Sequence, residues 1–171
     1  MVNMYEQAVN QEPRISLNKL GEYLTCAKAS RRERILRDAK YPPTFQVIRY
    51  EPTRRIIERY LTGKITSAAA LAQEIADYAS AKTKDDFEAR MQKSNLEALT
   101  LFAEMAPSLD FGGAKVSLGP HAASKREISG VEVSIRPELH LTKGGGNEPT
   151  RRGAIKLNLS KGAVHSKEAA E

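Results

Sequence analysis

Apolar positions recur at helical spacing through most of the chain and alternate near its end. Leu17, Leu20 and Leu24 fall on one stripe, and Ser16 stands where a cap is needed, so a helix is predicted over about 17–28. A second helix is predicted from Ser30, where Ser30-Arg31-Arg32-Glu33 has capping-box spacing, and it must stop before Pro42-Pro43. Thr44–Tyr50 is short and β-prone. Pro52 suits the first turn of a third helix ending near Leu61, and Gly63 suits its stop; Ile56, Ile57, Tyr60 and Leu61 form its inner side. A fourth helix is predicted over about 67–81, with Leu71, Ile75 and Tyr78 inward, and a fifth from Thr83 to about Glu104, closed by Pro107.

The pattern then changes. Ala114–Leu118 reads as a short strand and Pro120–Arg126 as a polar loop. Val131, Val133 and Ile135 alternate with Glu132, Ser134 and Arg136, which is the period of a half-buried strand. Lys143–Pro149 reads as a flexible glycine-rich loop. Ile155, Leu157 and Leu159 alternate with polar neighbours in a third strand, and Ser166 is placed to start a terminal helix. The fold class expected is α+β, with a helical N-terminal half followed by a small three-stranded antiparallel sheet. The division expected is 1–82, helical, and 83–171, one long helix and three strands.

Composition narrows the function classes. The chain has 171 residues, 40% hydrophobic and 28% charged, enough for a real core. No apolar run approaches the ~20 residues of a membrane helix. The start MVNMYEQAVNQEP has no basic or apolar region of a secretory signal, and the single Cys26 excludes an internal disulfide framework and a Cys-rich zinc site. A cytoplasmic setting is the expectation. Cys26 follows an apolar stripe and reads as a small buried hydrophobe.

The formal charge is +6, and it is uneven: +5 over 1–62, −3 over 63–110 and +4 over 111–171. Arg31, Arg34 and Arg37 share one side of the second helix, and Arg55 and Arg59 lie a turn apart on the third. Arginine's planar fork binds phosphate oxygens with paired hydrogen bonds. These five, with Arg151 and Arg152 beside the glycine triplet, are the candidate nucleic-acid contacts. The competing reading is that the helical arginines pair with Glu33, Asp38, Glu51 and Glu58. Gly144–Gly146 is not a phosphate loop, because no Gly-Lys-Ser/Thr ending leads into a helix. His121, His140 and His165 are too scattered for a metal-ligand spacing, though His140, two residues past Glu138, can share its sheet face.

Glu138, in Arg136-Pro137-Glu138-Leu139-His140, and Lys156, in Gly153-Ala154-Ile155-Lys156-Leu157, form the second constellation. A carboxylate near the end of one strand and a lysine on the next can together ligate Mg²⁺ and orient a water. A long helix, three antiparallel strands, Pro137-Glu138 and Lys156 together resemble the PD-(D/E)XK nuclease-like superfamily. The resemblance implies a restriction-endonuclease-like core over 83–171 and Mg²⁺-dependent phosphodiester hydrolysis in DNA processing or defence. It implies Glu138 as metal ligand, Lys156 as orienter and Glu97 on the fifth helix as the second ligand. Ala154 stands where that family places its second acid. The partner expected is nucleic acid, taken as DNA. The alternative is a non-catalytic DNA-binding or interaction protein that pairs with another subunit or a second copy of itself.

Overall fold

A computed structural model describes residues 9–42, 49–120, 122–145 and 148–159. The chain divides into two compact units that interleave in sequence. One comprises 1–47, 121–136 and 160–171; the other comprises 48–120 and 137–159.

In the first unit, β1 (Arg14–Ser16) leads directly into α1 (Leu17–Thr25), then α2 (Ala29–Lys40). The Ser16 hydroxyl caps α1 as expected, accepting the Lys19 N–H. Helix α2 has no side-chain cap: it starts at Ala29, so Ser30 already lies inside it and the capping box does not form. It ends at Lys40, ahead of the proline pair. Ile35 is buried, whereas Leu17, Leu24 and Leu36 stay exposed, so the apolar stripes are only half used.

The polar stretch expected as a loop runs into β3 (Ser124–Ile128), which pairs antiparallel with β4 (Val131–Ile135). Every β3 side chain is exposed, so its sequence carries no alternating signal. Ser129 and Gly130, both at positive φ, make the two-residue connection. β1 adds to β4 in parallel, with Ile15 opposite the buried Val133.

The second unit carries α3 (Glu51–Leu61), α4 (Ala68–Ser80), α5 (Asp86–Met105) and a 3-10 turn (Ala106–Ser108). Its core is Ile56, Ile57, Ile65, Leu71, Leu99, Phe102 and Ala106, with the Phe102 ring edge-on to Tyr60. The inward residues expected on α3 and α4 are found there. α5 is capped by Asp85 rather than Thr83; the Asp85 carboxylate accepts the Glu88 N–H and Glu88 reaches back to the Lys84 N–H. Of the β-prone stretch at 44–50, residues 44–48 lie outside the described residues; Arg49 and Tyr50 form a turn.

The unit's sheet has the order β2-β5-β6, all antiparallel, from β2 (Lys115–Leu118), β5 (Leu139–Gly145) and β6 (Glu148–Ile155). Two three-stranded sheets therefore replace the one expected. The segment read as a glycine loop is largely strand: Lys143–Gly145 ends β5, and Glu148 and Pro149 begin β6. Gly144 permits this. Its φ is +86° and a Cβ there would lie 2.5 Å from the Pro149 carbonyl oxygen, so the ladder passes a bulge only glycine can occupy. Leu157 and Leu159, just beyond β6, pack into the helical core and fasten sheet to helices.

Candidate nucleic-acid interface

The register of β2, β5 and β6 sorts their side chains onto two faces. Leu118, Val116, Leu139, Leu141 and Ile155 share one, and Leu139 is fully buried. The other is set by the pairs Lys115–Thr142, Ser117–His140, Thr142–Arg152 and His140–Ala154. Each of these side chains is exposed. One residue further along the same register, Glu138 faces Lys156. Their ammonium and carboxylate groups meet at 2.5 Å, so the two expected to come together do.

Glu138 is held from every side. Its carbonyl accepts the Gly119 N–H at 2.7 Å and its own N–H donates to the Ile155 carbonyl at 3.1 Å. The second carboxylate oxygen accepts the Leu157 N–H at 2.8 Å. Gly119 is obligatory, because a Cβ there would lie 2.1 Å from the Pro137 carbonyl oxygen. The Glu138 side chain is only 11% exposed, against 36% for Lys156.

Both Glu138 oxygens already have donors, one of them an ammonium where a cation would bind. Among the described residues no group of three or more His, Cys, Asp or Glu is placed to hold a metal ion. A hard divalent cation needs several oxygen donors. Glu97 is exposed on α5 and lines an open groove with Gln92, Lys93, Leu96 and Thr100. Ala154 is exposed opposite His140 and brings no acid.

Most of the helical arginines are engaged in ion pairs on their own or a neighbouring helix. Arg31 pairs with Glu22, and Arg34 lies 3.7 Å from Asp38. Arg54 bridges Glu51 and Glu58, Arg55 also reaches Glu51, and Arg59 reaches Glu74. The hydrogen bond from Arg54, opposed by burial and aided by Arg55, holds the Glu51 carboxyl below its usual range. Burial pushes Glu22 up, but Lys19 and Arg31 together hold it below its usual value. Arg37 has no ion-pair partner among the described residues. Arg32 lies 5.7 Å over the Tyr23 ring, a contact no spacing rule exposed.

Arg151 and Arg152 differ. Neither has an ion-pair partner among the described residues, and nor has Lys115. Lys115, Ser117 and Thr142 were not among the residues expected to bind. The alternation in Lys115-Val116-Ser117-Leu118 and in Leu139-His140-Leu141-Thr142 is the signal that could have found them. Cys26 is half-buried where α1 ends, and its thiol faces the Lys28 carbonyl at 3.7 Å. His121, His165 and Ser166 lie outside the described residues. Comparison of the chain with protein-family models, curated proteins and solved structures gives no match.

Proposed function

We propose that this chain binds nucleic acid through its phosphate backbone, using the solvent face of the β2-β5-β6 sheet, in a binding rather than a hydrolytic role. One observation carries the reading. Lys115 and Arg152 are set in register around the polar side chains Ser117, Thr142 and His140. The carboxylate of nearby Glu138 is turned into an ion pair with Lys156 and a backbone hydrogen bond from Leu157. A surface of exposed cations and hydroxyls suits phosphate oxygens, and each contact releases counterions. Glu138 and Lys156 then serve as a clamp across the base of the β5–β6 hairpin. Both Glu138 oxygens are occupied, which favours the clamp over the nuclease-like role that the sequence resemblance implies.

Fluorescence anisotropy with labelled DNA tests this. Lys115→Ala and Arg152→Ala are each expected to weaken binding about five-fold, on the order of 1 kcal/mol per phosphate contact at moderate salt. Affinity unchanged in both would overturn the reading. A parallel incubation of DNA with Mg²⁺ separates binding from cleavage: cleavage abolished by Glu138→Gln in a folded protein would restore the nuclease reading.

A further inference from the structure

We infer that the solvent face of the β2-β5-β6 sheet takes a bare chain of phosphates, so that inorganic polyphosphate and a strand stripped of its bases are ligands as good as DNA. This rests on the binding role proposed above and adds the chemical class of the ligand. Three observations carry it. First, the cations of the face lie on one line. Lys115, Thr142 and Arg152 stand opposite one another across β2, β5 and β6. With about 4.8 Å between strands, a hydroxyl lies midway between two cations rooted about 10 Å apart. Neither Lys115 nor Arg152 has an ion-pair partner among the described residues.

Second, that line is bounded. Two residues further along the strands, about 7 Å away, the next row is Ser117, His140 and Ala154, with no carboxylate, lysine or arginine. Beyond it Glu138 and Lys156 neutralise each other at 2.5 Å. A polyanion is therefore drawn along the first row, across the strands, instead of being spread over the face.

Third, the face carries little that recognises a base. Base edges are read by Asn, Gln or Glu, or by an arginine fork on guanine. Unpaired bases are held on aromatic platforms. Lys115, Ser117, His140, Thr142, Arg152 and Ala154 are all exposed, and none is Phe, Tyr, Asn or Gln. His140 is the one ring among them, flanked by the small side chains of Ser117 and Ala154. What the face does supply, two cations and two hydroxyls, meets phosphate oxygens whatever they are attached to.

The test is displacement of a labelled oligothymidylate from the full chain, followed by fluorescence anisotropy. The competitors are oligothymidylate itself, oligoadenylate, a strand of abasic deoxyribose phosphates and inorganic polyphosphate, each matched for its number of phosphates. The last three are expected to be no more than about five-fold weaker than the thymidylate, and Lys115→Ala/Arg152→Ala to weaken all four about ten-fold or more. His140→Ala should leave their order unchanged. These positions are exposed, so each variant should melt with the unmodified protein. An abasic strand or polyphosphate weaker than that limit, or an order that changes in His140→Ala, means that bases are held. Either result overturns the phosphate-chain inference and leaves the sheet-face reading standing, provided that the double variant loses affinity for the DNA strands. Absence of DNA binding, or DNA binding that the double variant retains in full, overturns both.

Discussion

The β3–β4 and β5–β6 hairpins meet the same electrostatic problem and handle it differently. In β3–β4, Glu127 stands opposite Glu132, and Lys125, on the same face, reaches Glu132 at 3.0 Å. In β5–β6, Lys143 stands opposite Arg151, and no described carboxylate reaches either. The first hairpin compensates its charge internally. The second has no compensating carboxylate among the described residues. Arginine-rich helices α2 and α3 resemble the first case: most of their arginines are already spent on Glu22, Asp38, Glu51, Glu58 and Glu74. Counting basic residues therefore points to the helices, whereas counting those without an ion pair among the described residues points to the sheet.

The largest expected effect tests the scaffold on which the β5–β6 hairpin stands. Asn95 is fully buried on α5. Its side chain accepts from the Thr53 N–H and hydroxyl and donates to the Arg49 and Met91 carbonyls. Asn95→Ala strands these partners and should cost about 3 kcal/mol in chemical denaturation. Lost DNA binding in the fraction that remains folded would show that the helices, not the sheet, hold the interface.

Next comes Glu138→Ala, which leaves the Leu157 N–H without its acceptor and removes the ion pair with Lys156. A loss of about 2 kcal/mol is expected, read by urea unfolding, with DNA affinity equal or higher because an anion has left a basic face. Weaker binding in the folded variant would break the clamp assignment.

The hairpin contrast itself is sharpened by single neutralisations. Arg151→Gln should stabilise by about 0.5 kcal/mol, since it removes uncompensated repulsion with Lys143. Glu127→Gln should gain less, because Lys125 already offsets that pair. Equal gains would erase the distinction between the hairpins.

The smallest effect concerns α3. Glu51's folded pKa lies below its unfolded value, so its stabilisation is complete above the unfolded carboxylate pKa and fades as pH falls through the folded one. The stability difference between the unmodified protein and Glu51→Gln should be about 1 kcal/mol or less at neutral pH and disappear in acid. A difference that persists in acid would mean that Arg54 and Arg55 are not compensated by Glu51.

The helices were legible in the sequence because each second-unit helix buries a helical-period face: Ile56 and Ile57, Leu71, then Leu99 and Phe102. β4 was legible because Val133 alternates with polar neighbours. β3 was not, since a strand with all five side chains exposed has no apolar period to read. β1 is three residues long and exists through pairing with β4, a contact more than a hundred residues away in the chain. β5 was not expected and the third strand was placed at 155–159 rather than 148–155, because Gly144 and Gly145 read as loop, whereas they accommodate a bulge. Glu138 and Lys156 do meet, but just before β5 and just after β6, not across a pairing of Val131–Ile135 with the third strand, which lies in the other sheet. Their burial, the Leu157 N–H and the close approach of Gly119 were not legible, since those depend on the fold around them.

The claim that uncompensated sheet cations, rather than paired helical arginines, hold nucleic acid is tested most directly by the salt dependence of DNA affinity in two double variants. Lys115→Ala/Arg152→Ala should lower the slope of log affinity against log salt by about two, while Arg34→Ala/Arg55→Ala leaves it unchanged. The reverse pattern, with the slope falling only when the helical arginines are removed, would contradict the account.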